Sequence, residues 1–211
     1  MDRPVKASYD ADRRISRLEF GRDDHPANGD YYLRGGICWP ESGVAPGQKP
    51  QGYALLIGFD IRTKIMRVFE QTEFLVVDHI LRTDGGIERV GLSVWFNEAW
   101  IRYFCRTFYY NQPESLHKTY LFQTIRSKMI EPKPHFPELL WRENREAWSV
   151  VSAKVETDKI KMDPKSGLND ALLQYYASLD GRMVPPAVWS LMCAVYGMER
   201  YPWRERKHEA A

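Results

Sequence analysis

The amino-acid sequence predicts a mixed α/β domain, with α+β as the alternative arrangement, and three observations carry that prediction. Strand-like apolar runs fill the first half of the chain, helix-spaced runs dominate the second, and a short strand-like segment returns between the helices. The expected architecture is a mixed sheet with antiparallel first strands and flanking helices. At 211 residues the chain suits one domain at 29–211, preceded by an N-terminal arm at 1–28.

The arm mixes both charge signs. Ile15, Leu18 and Phe20 are spaced to anchor a short helix, which Asp23-Asp24-His25-Pro26 would end, leaving a segment that docks on the body or frays. YYLRGGICWPE then reads as a strand stopped by Pro40, followed by a loop rich in glycine and proline. GYALLIGFDIRT is a near-continuous apolar run, the pattern of a strand covered on both faces. KIMRVFEQTEF alternates, with Ile65, Arg67 and Phe69 to one side and Met66, Val68 and Glu70 to the other. The short Arg62-Thr63-Lys64 link makes these two an antiparallel pair. A further run, FLVVDHIL, ends at the turn Thr83-Asp84-Gly85-Gly86.

Helical spacing begins next. Asn97 is placed to cap EAWIRYFCRTFYYN, where Trp100, Phe104 and Phe108 recur at four. Leu121, Ile125 and Met129 do the same in ESLHKTYLFQTIRSKM. Pro132, Pro134 and Pro137 force an extended stretch, and PELLW suits a strand. SVVSAKV fits strand or helix alike, and DKIKM suits a short edge strand. LNDALLQYYASL and PAVWSLMCAVYGM read as two closing helices, the second opened by prolines.

Composition narrows the function classes. Thirty Lys and Arg against 28 Asp and Glu leave a formal charge of +2, too balanced to imply a nucleic-acid partner by itself. The charged N-terminus lacks the apolar core of a secretory signal, and no apolar stretch approaches the length of a membrane span. Cys38, Cys105 and Cys193 are far apart, without zinc spacing, and read as small core residues of a reduced, cytoplasmic protein. The 7 Trp and 12 Tyr are more than a plain surface needs and favour an aromatic interface with a protein partner.

Two apolar strands run into aspartates, Leu55 to Asp60 and Phe74 to Asp78, and Asp170 opens a later helix. Rigid strand ends fix carboxylates in space, which a divalent cation such as Mg²⁺ or Mn²⁺ requires. Asp60, Asp78 and Asp170 brought together would form a two-metal site for cutting phosphodiesters. Residue by residue, the competing reading is structural: a strand-end aspartate builds turns, and Asp170 complements a helix dipole.

The order of three strands, a helical insert, a returning strand and closing helices resembles the RNase H-like superfamily. GYALLIGFDIRTKIMRVFE is similar to the opening strand pair of resolvase-type members, although these carry Gly where Arg62 stands. In layout the chain is nearest to the nuclease domain of phage large terminases. In that register YYLRGGICWPES is the first strand and QGYALLIGFDIRTKIMRVFEQTEF the second and third, while KIKMDPKSGLNDALLQYY and PPAVWSLMCAVYGM are similar to the closing strand and helices. The resemblance spans most of residues 30–200. It implies a phage or mobile-element protein that engages nucleic acid, as an Mg²⁺- or Mn²⁺-dependent nuclease if active. Terminases place an acid inside the first strand, where this chain has Cys38 and Trp39, and acidic pairs on the last helix, where it has Pro185, Pro186 and Ser190. Those departures imply the alternative, a catalytically inactive interaction or structural subunit.

A basic and aromatic stretch supports nucleic-acid binding separately. Arg102 and Arg106 lie four apart, Lys118, Arg126, Lys128 and Lys133 follow, and Tyr103, Tyr109, Tyr110 and Tyr120 are interleaved. Cations neutralise phosphates and rings stack on bases. The competing reading puts the rings in the core and the cations on a solvated face. The C-terminal WRERKHE reads as a tail, and no G-x-S-x-G elbow, dinucleotide loop or P-loop is present.

Overall fold

The computed structural model describes residues 3–38, 51–75, 81–83, 86–88, 92–105, 107–110, 131–132, 141–178 and 184–204. Ten strands run as β1 (Lys6–Asp10), β2 (Ile15–Glu19), β3 (Gly29–Cys38), β4 (Gln51–Asp60), β5 (Met66–Leu75), β6 (Leu81–Thr83), β7 (Gly86–Glu88), β8 (Thr107–Tyr110), β9 (Glu131–Pro132) and β10 (Ile160–Lys161). Four helices are described: α1 (Leu92–Tyr103), α2 (Trp141–Glu156), α3 (Gly167–Ser178) and α4 (Pro186–Arg200).

The main sheet is mixed. β1 through β5 follow one another as antiparallel neighbours, and β10 joins β5 in parallel. β3 forks along its other edge: Gly29 to Tyr31 pair with β2, while Gly35 to Ile37 pair in parallel with β8, which carries β9. In the gap between those partners Arg34 lays its guanidinium 3.8 Å over the Tyr32 ring and donates to the Leu33 carbonyl at 2.7 Å. The side chain supplies the donor that a continuous neighbouring strand would otherwise provide. β6 and β7 form a separate hairpin in which Thr83 faces Gly86, consistent with the turn read there.

Both faces of the sheet are covered, as the continuous apolar run of β4 requires. Ala54 and Leu56 join Leu33, Ile37, Phe96, Ala99 and Tyr103 on the α1 side. Leu55 and Ile57 join Ala147, Val151, Leu168, Leu172 and the α4 residues on the other. Of the 15 residues of α4, ten are buried, so this helix is apolar all round and sits between the sheet and helices α2 and α3. No helix among the described residues is long and apolar enough to cross a membrane.

Several local expectations are corrected. Ile15, Leu18 and Phe20 are buried on or just after β2, so the first residues build a hairpin rather than a short helix. That hairpin extends the main sheet, placing much of residues 1–28 in it. The helix expected from Asn97 onward begins at Leu92 and ends at Tyr103, with Asn97 in its interior. Phe104 is left-handed (φ 58°), its N–H returns to the Trp100 carbonyl at 2.9 Å, and its ring meets Trp100 edge-on. This is the αL helix stop with its apolar contact, made by Phe where Gly is usual. The aromatics spaced to prolong the helix therefore end it, and Thr107–Tyr110 becomes β8.

The ambiguous SVVSAKV is helical in α2, because Ala147 and Val151 bury at helical spacing. In β5 a bulge opposite Leu56 and Ile57 breaks the alternation. Phe69 and Glu70 both consequently reach Tyr103, by ring contact and by a 2.8 Å hydrogen bond respectively. The helix expected at 114–129 and the strand PELLW lie outside the described residues, apart from Trp141, which opens α2.

Candidate functional site

Asp60 ends β4 and is 5% exposed. Its Oδ1 accepts the N–H groups of Arg62 and Thr63 at 2.8 and 3.2 Å, and its Oδ2 accepts the Thr63 hydroxyl at 2.7 Å. The backbone closes around it, with Asp60 N–H donating to the Ile65 carbonyl and Lys64 N–H to that of Asp60. Lys64 takes the left-handed conformation (φ 60°) that reverses the chain. The carboxylate is the turn's own fastener, as the structural reading of a strand-end aspartate states.

This turn forms one wall of an open groove of about 970 Å³ at one end of the sheet. The β1–β2 turn, the β2–β3 connection and the C-terminal Trp203 supply the rest. Trp203 donates its indole N–H to the Arg13 carbonyl at 3.0 Å, tying together residues 190 positions apart. The Lys64 ammonium lies 5.9 Å from the Trp203 ring centroid and 5.7 Å from that of Phe59. Arg62 and Lys64 face the groove without a carboxylate partner among the described residues. Arg17, in contrast, is held by Asp30 through two hydrogen bonds, which raises its pKa further. Asp23, Asp24 and His25 also line the groove.

The middle of the sheet is the reverse case. A Cβ on Gly36 would fall inside the Ser190 carbonyl oxygen of α4, and one on Gly35 inside the Phe108 ring. The Ser190 hydroxyl donates to the Gly36 carbonyl at 2.6 Å, in full burial. Helix and strand backbones thus touch here with no room for a side chain between them.

The proposed metal trio is only partly visible. Asp170 is exposed in the first turn of α3, where a carboxylate complements the helix dipole. Asp78 lies outside the described residues. A Mg²⁺ or Mn²⁺ ion needs several oxygen ligands at one point. Asp60 already spends both oxygens on its turn, and no group of three or more His, Cys, Asp or Glu among the described residues could share an ion. Of the trio, the described residues place only Asp60, fastened in its turn, and Asp170, exposed on α3.

The basic set fares similarly. Arg102 pairs with Glu98 at 3.3 Å, four residues back on α1. Arg106, Lys118, Arg126, Lys128 and Lys133 lie outside the described residues. Tyr103 and Tyr109, expected among them as stacking rings, are core residues at 1% and 2% exposure. Burial, and for Tyr103 the neighbouring Glu70, raise both phenol pKa values. Burial likewise pushes the Cys105 thiol up to about 12. Trp148 packs edge-on against Tyr175 and Tyr176, so part of the aromatic load is spent internally. Tyr201 is the one aromatic among the large hydrophobics exposed on the described surface.

Sequence reasoning missed the groove cations Arg13, Arg62 and Lys64 and their indole. WRERKHE carries no local sign that Trp203 meets the β1–β2 turn, and only the alternation of Arg62 and Lys64 around a turn hinted at a basic tip. Comparison with known proteins finds no match: no family model, curated protein or solved structure aligns significantly with the chain.

Proposed function

We propose that this chain is a non-catalytic, nucleic-acid-engaging module of RNase H-like layout, such as a phage or mobile element would build into a larger cytoplasmic assembly. The strand succession β5-β4-β3-β8-β9, antiparallel through β3 and parallel beyond it, supports the layout, with β3 as first strand in the terminase-like register. The observation that carries the non-catalytic reading is the contact of Gly36 with the Ser190 carbonyl. In that register the first strand should hold a metal-binding acid, and here its middle is closed by protein backbone. No acid stands in β8, and α4 has none before Glu199.

The nucleic-acid reading rests on the groove. Arg62 and Lys64, without carboxylate partners among the described residues, line it together with Trp203, and such a combination neutralises phosphates while offering a ring to an unpaired base. Fluorescence anisotropy with a labelled single-stranded oligonucleotide tests it. Binding should weaken with added salt at a log–log slope of about −1.4 for the two cations. The Arg62→Glu/Lys64→Glu double variant should lose about tenfold or more in affinity, and no cleavage should appear with Mg²⁺ or Mn²⁺. Binding indifferent to both salt and the variant overturns the partner assignment. Metal-dependent cleavage that Asp60→Asn abolishes, with a native circular dichroism spectrum retained, would establish the nuclease reading instead.

A further inference from the structure

We infer that β1 is a self-pairing edge, through which a second copy of this chain joins the two main sheets into one. β1 is the terminal strand of the sheet and pairs with β2 alone among the described residues. Lys6, Ser8 and Asp10 are exposed along it, and Val5, immediately before it, is 73% exposed. An open strand edge presents unpaired backbone groups to any extended partner, and proteins commonly block such edges with unfavourable charge.

The charges of β1 instead favour its own antiparallel copy. Antiparallel residue pairs lie on local two-fold axes, so a strand can pair with itself about one residue. Centred on Ser8, the pairing sets Lys6 opposite Asp10 of the second copy, and Asp10 opposite its Lys6. Ala7 then faces the larger Tyr9, and Val5 falls beside Ala11 where the strand gives way to its turn. Both charge pairs are attractive, each small side chain meets a larger one, and Ser8 meets Ser8. Cross-strand pairs of this kind are the units that stabilise a sheet. The opposite side of β1 is already supported, since Ala7 packs on the α1 core and Tyr9 stacks on Phe104 at 6.0 Å. One face of the strand is therefore held against its own domain, and beyond β2 no described strand pairs with it.

Five residue pairs make a small contact, so the dimer is a weak one that grows with protein concentration. Sedimentation equilibrium over a concentration series reads this directly. The wild-type chain should show a monomer–dimer equilibrium. Lys6→Asp, which leaves untouched the 2.9 Å bond from the Arg13 N–H to the Asp10 carboxylate in the β1–β2 turn, should weaken dimerisation tenfold or more by placing acid opposite acid. Asp10→Lys should do the same, and the double swap Lys6→Asp/Asp10→Lys should restore the wild-type dissociation constant. A chain that stays monomeric throughout overturns the inference. A dimer unmoved by Lys6→Asp does too, as does a folded double swap, verified by circular dichroism, that fails to recover dimerisation.

Discussion

At the middle of β3 the structure admits nothing between strand and helix but their own backbones, whereas five residues away along the neighbouring β4 the chain opens into a charged groove. Both regions contain a polar group in a constrained place. Ser190 is fully buried and donates to the Gly36 carbonyl, so a hydrogen bond joins two layers inside the core. Asp60 is nearly as buried, yet its three bonds stay within five residues of chain and its turn borders solvent. The first arrangement sets the distance between α4 and the sheet. The second shapes a rim that Arg62 and Lys64 line.

The comparison breaks most sharply if the centre proves tolerant. Gly36→Ala should cost about 3 kcal/mol, since the added methyl meets a helix carbonyl that cannot rotate away. A urea melt measures it, and a loss below about 1 kcal/mol would mean that α4 is not held against β3 as described. Alkaline titration comes next. Burial raises the Cys105 thiol from 9.0 to about 12 and the Tyr31 phenol from 10.0 to about 12, and it raises Tyr103 as well. The folded state holds these groups neutral while the unfolded chain ionises first. Their contribution is thus intact below about pH 9 and declines between there and about 12, by roughly 1.4 kcal/mol per pH unit for each group in its window. Tm followed from pH 8 to 11 should fall, and Cys105→Ala should flatten its first part. A Tm that holds steady to pH 11 would contradict a dry interior.

The smallest effect belongs to the rim. Asp60→Asn keeps one neutral oxygen to accept the Arg62 and Thr63 N–H groups and turns the other acceptor into an amide donor, so a loss of about 1 kcal/mol is expected in the same urea melt. A change beyond about 3 kcal/mol would show that Asp60 supports more than its own turn.

Much of the sheet was legible in the sequence because its signals are local. The two-sided burial of β4 follows from an uninterrupted apolar run, and the β4–β5 pairing from a short link between two such runs. Asp60 could be read as a turn former or a metal ligand from the same residues, and the structure shows its turn bonds from the Arg62 and Thr63 N–H groups. The readings that failed depended on distant partners. Trp100, Phe104 and Phe108 keep helical spacing, but Phe108 fills the space above Gly35 and draws its segment into β8. Tyr103 and Tyr109 looked available for bases until the two sides of the sheet enclosed them.

By itself the sequence determined the fold class, the antiparallel opening strands, the short return strand and the two closing helices, since periodicity and chain-breaking residues act within a few positions. Tertiary structure decided where α1 stops, which strand pairs in parallel with β3, and which cations gather around Trp203. Those outcomes depend on contacts between residues as much as 190 positions apart, and no local pattern encodes which surfaces will meet once the sheet has closed.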